Sequence, residues 1–227
     1  MTATALVLDF GGVISKTMFE THALSEVALG LPAGTLNWRG PFDPQNDALW
    51  RAMQADEISE RDYWMARTKE TGKLLGEDWD KMETFVQRAR GADVDAILRP
   101  EAVEGIQIAH ASGIRLAILS NELDLFYGAD FRHRFGLLSL FEVVSDATYT
   151  KILKPDPRAY LACLDALGLR PNECVFVDDQ RRNIDGANAV GMKTVHLDVQ
   201  YPRASLSKAL GFFNLSFPKQ HSGASHA

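Results

Sequence analysis

The chain has 227 residues, of which 46% are hydrophobic, and its 24 Lys and Arg against 30 Asp and Glu give a formal net charge of −6 at pH 7. This apolar fraction, with modest glycine and proline content, predicts a globular protein and excludes low-complexity, collagen-like and disordered classes. The acidic balance disfavours nucleic acid as a partner, because proteins that bind the phosphate backbone usually carry a basic surface.

Three features predict a protein of the cytoplasm. The opening MTATALVLDF lacks the basic start of a secretion signal and is typical of a buried strand. No apolar run approaches the roughly 20 residues that a membrane span needs, so no membrane partner is expected. Cys163 and Cys174 are too few for a disulfide framework and lack zinc-ligand spacing, so both are expected to be reduced core residues.

The first predicted element is the strand ALVL at 5 to 8, and a long helical segment follows it. Residues from roughly 16 to 100 show no strand-like alternation, and Ser59 with Asp62 forms a helix start signal. We expect about four helices there, interrupted by the loop at 37 to 44. Helices inserted after the first strand would form a cap over the carboxyl edge of the sheet.

The remainder of the chain alternates short apolar runs with helical patterns. The later predicted strands are RLAIL at 115–119, FEVV at 141–144, CVFV at 174–177 and KTVHL at 193–197. In the helix after the third of the five strands, Asp156 is the expected N-cap, Pro157 the first residue and Gly168 the stop. Nearly continuous apolar strands alternating with helices predict a parallel sheet covered on both faces.

These patterns predict a Rossmann-like parallel α/β core with an inserted helical cap. We assign residues 1–15 and 101–205 to the core and 16–100 to the cap. The segment 206–227 loses regular patterning, and we expect a partly disordered tail there. Aromatic residues exposed on the cap could form the face of a homodimer.

Polar residues follow the predicted strands, where ligands of open parallel sheets bind. They are Asp9, Ser120, Asn121, Lys154, Asp178 and Asp179. Three carboxylates at one point repel one another unless a cation holds them, which suggests Mg²⁺. Lys154 and Ser120 would then face an anion, most simply a phosphoryl group, and Asp9 is placed to act as a nucleophile. Lys151 competes with Lys154 for the role of the cation.

At this point the sequence resembles the haloacid dehalogenase-like hydrolases. The matching motifs are DFGGV at 9–13, LSN at 119–121, KPDPRAY at 154–160 and VFVDDQRRNIDGANAVGM at 175–192. The resemblance spans residues 5 to 197, and the helical insertion occupies the position of that family's C1 cap. It implies a hydrolase that acts on a small phosphorylated metabolite.

The resemblance also implies a role for each motif residue. Asp9 would attack phosphorus to give an aspartyl-phosphate, and Lys154 would screen the charge of nucleophile and phosphoryl group. Ser120 and the amide of Asn121 would hold phosphate oxygens.

The same resemblance implies the ligands of Mg²⁺. Asp179 would be the main carboxylate ligand beside Asp9, with Asp178 alongside and the backbone carbonyl of Gly11 completing the set. Asn183 would orient the loop that carries these ligands. Because Asp178 and Asp179 point in opposite directions on an ideal strand, one of them could instead be structural.

One position departs from the family's phosphatases, which usually carry a second Asp two residues after the nucleophile as general acid and base. Here that position is Gly11. A lost proton donor typically costs about 10²–10⁴ in rate. The leaving group could need little protonation, as in an anomeric sugar phosphate or an acyl phosphate, or a cap residue could supply the proton.

Two alternatives to phosphate ester hydrolysis are also consistent with Gly11. The family's 2-haloacid dehalogenases also lack the second Asp, but they use no metal and usually carry Tyr at that position. In that case Arg39 would clamp the substrate carboxylate. In the second alternative, the protein binds a phosphorylated ligand without turnover. Arg39 and Trp38 are in either case candidates for substrate contacts, although Trp38 could equally fasten the cap loop.

Overall fold

The computed structural model describes residues 3–55, 57–90, 94–128 and 130–219. Its strands are β1 (Ala5–Leu8), β2 (Arg115–Ser120), β3 (Val143–Asp146), β4 (Cys174–Asp178) and β5 (Lys193–His196). They form one parallel sheet in the order β3-β2-β1-β4-β5. The predicted Rossmann-like core is confirmed.

The third strand begins two residues later than the apolar run FEVV predicts. Phe141 caps the end of the preceding 3-10 turn, Gly136–Leu140, because its backbone N–H donates to the carbonyl of Leu138 at 3.0 Å. The ladder with β2 therefore pairs Ala117 with Val143 and ends at Asp146. This shift puts a carboxylate at the end of β3.

Helices cover the sheet and fill the insertion after β1. In chain order they are α1 (His22–Leu29), α2 (Ala48–Gln54), α3 (Glu60–Leu74), α4 (Met82–Ala89), α5 (Val94–Ile97), α6 (Pro100–Ala111), α7 (Leu123–Tyr127), α8 (Phe131–Arg134), α9 (Ala147–Thr150), α10 (Pro157–Leu167), α11 (Arg181–Ala189) and α12 (Pro202–Gly211). No helix in the described part of the chain combines the length and apolar character that crossing a bilayer requires.

Two hydrophobic clusters lie on opposite faces of the sheet, as the period of two along a strand requires. Leu6 and Leu8 of β1 join the cluster under α6 and α12, and the intervening strand residues join the cluster under α10 and α11. Cys163 and Cys174 are free thiols buried in the second cluster, as predicted.

Local signals in the sequence explain where several helices begin and end. The Asp156 carboxylate accepts from the backbone N–H of Arg158 at 2.9 Å to cap α10, and Gly168 ends that helix at a φ of 64°. Ser59 and Asp62 form the predicted capping box of α3. Gly186 of α11 lies so close to Tyr160 that a Cβ there would approach the phenol oxygen to 2.8 Å.

The helical segment between β1 and α5 has its own hydrophobic cluster, which includes Trp38, Tyr63 and Trp79. These three aromatic residues are at most 4% exposed. Our expectation that exposed aromatics of the cap offer a dimer face is therefore wrong in its premise, because the aromatic rings pack against one another inside the cap. The exposed tyrosines among the described residues, Tyr149 and Tyr201, lie outside this segment.

A buried carboxylate organises the cap. Asp47 caps α2 by accepting from the backbone N–H of Trp50 at 3.0 Å. It also accepts hydrogen bonds from the Tyr63 hydroxyl at 3.0 Å and from Arg67 at 2.6 Å. The ion pair with Arg67 offsets the cost of burying the charge, so α2 and α3 are fixed in one arrangement.

The chain beyond residue 205 does not form the tail that we expected. α12 packs against α6, and Leu206 and Leu210 are 3% and 1% exposed in the core. The sequence contains the signal, since Leu206, Ala209, Leu210 and Phe213 follow helical spacing. Residues 220–227 of the predicted tail lie outside the described residues.

The buried position of α12 predicts a measurable contribution to stability. Leu210→Ala should lower the free energy of unfolding by about 2–5 kcal/mol, the usual cost of truncating a buried leucine. Denaturant titration followed by circular dichroism would measure it. The exposed Leu161→Ala should change stability by no more than about 0.5 kcal/mol. Equal, small effects of both variants would contradict the packing of α12.

Candidate active site

The polar residues that follow the strands converge at the carboxyl edge of the sheet. Asp9 follows β1, Ser120 ends β2, and the pair Asp178 and Asp179 lies at the end of β4. Lys154 reaches the same point from the loop between α9 and α10. A cavity of about 330 Å³ opens there, between the sheet edge and the cap.

The centre of the site is the buried ammonium group of Lys154. Its Nζ lies 2.7 Å from Oδ1 of Asp9 and 2.7 Å from Oδ2 of Asp178. Burial alone would lower the pKa of Lys154, but the two carboxylates outweigh it and raise the pKa above its usual value. The lysine is therefore a permanent cation. The competing candidate Lys151 is exposed.

The two adjacent aspartates have different surroundings. Asp178 is fully buried, and its oxygens accept hydrogen bonds from Lys154, from the side-chain amide of Asn183 and from the backbone N–H of Gln180. The Asp179 carboxylate has no hydrogen-bond partner among the described residues. Asp178 is thus occupied in holding the site together, and Asp179 is available to a ligand.

Gly12 makes room for Asp179. A Cβ at Gly12 would lie 2.4 Å from Oδ2 of Asp179, and the positive φ of 76° at this position also favours glycine. Gly12 therefore lets Asp179 approach the loop that follows Asp9. Ligand oxygens of Asp9, Asp178 and Asp179 lie within 4.8 Å of one another.

This donor set fits a hard divalent cation. Burial raises the pKa of Asp9 to about 7, more than Lys154 lowers it. Burial and the charges of Asp178 and Asp9 raise the pKa of Asp179 well above its usual value. A cation between Asp9 and Asp179 would offset this cost, and oxygen ligands are those that Mg²⁺ prefers. Oδ1 of Asn183 is buried without a partner in the described part of the chain and could accept from a bound water.

Ser120 and Asn121 line the same cavity as Asp9. The side-chain oxygen of Asn121 accepts from the backbone N–H of Lys154 at 2.7 Å, and its Nδ2 donates to the Lys154 carbonyl at 3.2 Å. Asn121 therefore fixes the backbone that presents the lysine. Ser120, the last residue of β2, is 6% exposed and continues the row of buried residues in that strand.

Comparison with known proteins agrees with this geometry. A family model for haloacid dehalogenase-like hydrolases matches residues 4–191, which include every residue of the site described above. The chain belongs to this family. The resemblance that the four motifs suggested is confirmed, and the protein is a hydrolase.

Relatives of this hydrolase include proteins named as phosphatases and proteins named as dehalogenases. Phosphatase MT3486 of Mycobacterium tuberculosis is 28% identical over 205 residues, which cover 87% of this chain and 88% of the relative. The (S)-2-haloacid dehalogenase 4A of Burkholderia cepacia is 35% identical over 190 residues, covering 81% and 80%. The solved structure of the HAD-hydrolase YfnB from Bacillus subtilis shares the fold, with a TM-score of 0.64, 17% identity and 87% coverage of both chains.

Two predicted substrate contacts of this hydrolase lie away from the cavity. Trp38 is 4% exposed and packs on the rings of His22 and Phe19, at centroid distances of 4.3 and 5.5 Å. Arg39 is exposed, and neither residue lines the cavity. The structure therefore does not bring them to the site, because the tryptophan packs in the cap core and the arginine is exposed to solvent.

Two other positioning features were not predicted. Asp146 caps the start of α7, since its carboxylate accepts from the backbone N–H of Leu123 and Asp124 at 3.2 and 2.8 Å. Asp146 is the last residue of β3, so correct strand bounds would have revealed it. Arg99, 2% exposed, donates to the carbonyl of Gly12 at 3.0 Å and pairs with Glu20 at 2.7 Å. It ties the loop after Asp9 to the start of the cap.

The central ion pairs give a stability prediction. Lys154→Met should lower the free energy of unfolding in metal-free buffer by about 3–5 kcal/mol, because it leaves buried carboxylates without their counter-charge. Lys151→Met is the matched control and should change stability by about 0.5 kcal/mol or less. Denaturant titration measures both. A Lys154 variant as stable as the control would show that this ammonium group does not hold the site together.

Proposed function

We propose that this hydrolase is a Mg²⁺-dependent phosphohydrolase of a small phosphorylated metabolite. The observation that carries the proposal is the pairing of Asp9 with a buried lysine on one side and a free carboxylate, Asp179, on the other. A nucleophile, a fixed cation and a site for a second cation are what phosphoryl transfer requires. A haloacid needs no such set of carboxylates.

Each residue has a defined task in this reaction. An Oδ of Asp9 attacks phosphorus, the bond from phosphorus to the ester oxygen breaks, and the leaving oxygen departs with that electron pair and takes a proton from water. Water then attacks the phosphorus of the aspartyl-phosphate, the bond from phosphorus to Oδ breaks, and inorganic phosphate, the Asp9 carboxylate and a proton released to solvent result. Lys154 keeps Asp9 oriented, while the Ser120 hydroxyl and the backbone amide of Asn121 hold phosphate oxygens.

The metal ligands would be Asp9, Asp179 and the backbone carbonyl of Gly11, with Asp178 and Asn183 in support. When bound, Mg²⁺ supplies charge neutralisation for the transferring phosphoryl group. The saturated hydrogen bonding of Asp178 favours Asp179 as the direct carboxylate ligand. The predicted location in the cytoplasm and the homodimer stay predictions.

Dehalogenation is the second candidate, and one observation favours it. Gly11 provides no general acid, and a halide leaves without one. In that reaction Asp9 would attack carbon, halide would leave, and water would hydrolyse the ester. The carboxylate of Asp179 would then have no cation to bind, which is why we place phosphate chemistry first. Ligand binding without turnover is the third candidate.

Activity assays separate the three candidates. Phosphate release from acetyl phosphate and a panel of sugar, alkyl and aryl phosphates should require Mg²⁺ and stop with chelator. Asp9→Asn should abolish it with the fold intact, because an amide of the same shape is a poor nucleophile. Chelator-insensitive halide release from 2-haloacids would instead establish the dehalogenase. Ligand-induced thermal stabilisation with neither product would indicate a binding protein.

Gly11 offers a test of the missing acid. A Cβ at this position would meet only Oδ2 of Asp9, at 3.9 Å, and the φ of −68° suits any residue. Gly11→Asp should therefore fold and should raise kcat for alkyl phosphates, by up to about 10²-fold if the new carboxyl protonates the leaving oxygen. Gly11→Asn is the control with matched size and no acid. Equal rates in both variants would show that proton donation at this position is not limiting.

A further inference from the structure

The cavity has a polar floor and apolar walls. Asp9, Lys154 and Asp179 lie at the floor, where the sheet ends. Aromatic side chains of the cap and of α7, and a leucine beside the catalytic lysine, form much of the remaining lining. They are Phe19, Trp50, Trp64, Phe85, Phe126 and Leu153.

Two of these side chains have no role in the hydrophobic cores. Phe126 of α7 and Leu153, directly before Lys154, are only partly buried, and neither belongs to the three hydrophobic clusters that the described residues form. The cap aromatics, by contrast, are held by one another, as in the contact of Phe19 with Trp50 at 5.2 Å. Core packing therefore explains the cap wall but not Phe126 and Leu153.

Several polar side chains of the cavity are engaged in hydrogen bonds within the protein. The Thr68 hydroxyl donates to the carbonyl of Trp64 at 2.8 Å, and that of Thr17 donates to Glu20 at 2.9 Å. Arg90 donates to the carbonyl of Lys16 at 2.9 Å.

Four charged residues of the cavity pair across the boundary between cap and core. Glu60 of the cap pairs with Arg182 of α11, and Arg61 pairs with Glu122 at 3.6 Å. Among the described lining residues, those that make no side-chain hydrogen bond within the protein include Trp50, Trp64, Tyr127 and Gln180. The Nε atoms of Arg90 and Arg182 also have no hydrogen-bond partner in the described part of the chain. A polyol enclosed here would lose water at each hydroxyl and meet mainly apolar side chains, which is costly.

We infer that the substrate is the phosphate monoester of an apolar alcohol, aliphatic or aromatic, and that Phe126 and Leu153 contact its carbon skeleton. This inference rests on the proposed phosphohydrolase function and narrows its substrate class. It departs from the sugar phosphate that sequence alone suggested. The phosphate would occupy the polar floor, and the apolar group would displace water from the walls above it.

A matched pair of substrates tests the inference. n-Hexyl phosphate and glucose 6-phosphate are both esters of primary six-carbon alcohols; the sugar ester adds hydroxyl groups and a pyranose ring, and sorbitol 6-phosphate, which is acyclic, controls for the ring. With Mg²⁺, kcat/KM should be at least about tenfold higher for n-hexyl phosphate, a modest value for apolar discrimination. Equal values, or a preference for the sugar ester, would overturn the inference while leaving the phosphohydrolase intact.

Variants of the wall locate the contact. Phe126→Asn should lower kcat/KM for n-hexyl phosphate about tenfold and leave acetyl phosphate, which is too small to reach the wall, within about twofold. Phe126→Leu should retain most of the preference. Phe212→Asn, at an exposed phenylalanine outside the cavity, is the matched control and should change neither value. If Phe126→Asn keeps the preference for n-hexyl phosphate unchanged, Phe126 does not contact the carbon skeleton of the substrate.

Binding gives a readout that does not depend on turnover. n-Hexylphosphonate should raise the Tm of the wild type more than methylphosphonate does, and this difference should shrink in Phe126→Asn. Equal shifts for both phosphonates would count against the inference. Phosphate release from neither the esters nor acetyl phosphate would overturn the proposed function and the inference with it.

Discussion

The site depends on one buried ammonium group held between two carboxylates. Lys154 lies 2.7 Å from both Asp9 and Asp178, two residues that are 145 and 24 positions apart from the lysine along the chain. Removing such charges from water is costly unless each finds its partner, so the ion pairs fix the distance between β1, β4 and the loop before α10. Asn121 adds the end of β2 by hydrogen bonding to the backbone of the same lysine.

The same arrangement gives the neighbouring carboxylates of Asp178 and Asp179 different roles. The Asp178 oxygens accept hydrogen bonds from Lys154, from Asn183 and from the turn into α11, which leaves Asp179 as the carboxylate available to a ligand. Gly12 is what allows Asp179 to come this close to the loop after Asp9. The chemistry thus belongs to the sheet edge, while the apolar walls above it belong to the cap and to α7.

Much of this could be predicted because it follows local rules. Apolar runs located β1, β2, β4 and β5, and the rule that polar residues after parallel strands converge located Asp9, Ser120 and Lys154. The capping signals of α3 and α10 depend on a few neighbouring residues and were equally readable.

The features that sequence did not predict depend on tertiary contacts. Lys154 and Asn183 take up the Asp178 carboxylate, and this contact decides which of the two aspartates can bind a ligand. Trp38 points into the cap because its ring packs against those of His22 and Phe19. The Arg99 link to Gly12 joins residues 87 positions apart. Asp146 escaped notice because the turn before it delays β3.

Detection of the covalent intermediate tests the account most directly. The enzyme would be mixed with acetyl phosphate and Mg²⁺, quenched in acid during turnover and digested, and the peptides weighed by mass spectrometry. Our account predicts one phosphoryl group on the peptide that contains Asp9, absent with chelator and discharged by hydroxylamine. A phosphoryl group on another residue, or turnover with Asp9 unmodified in enzyme quenched at every stage, would contradict it.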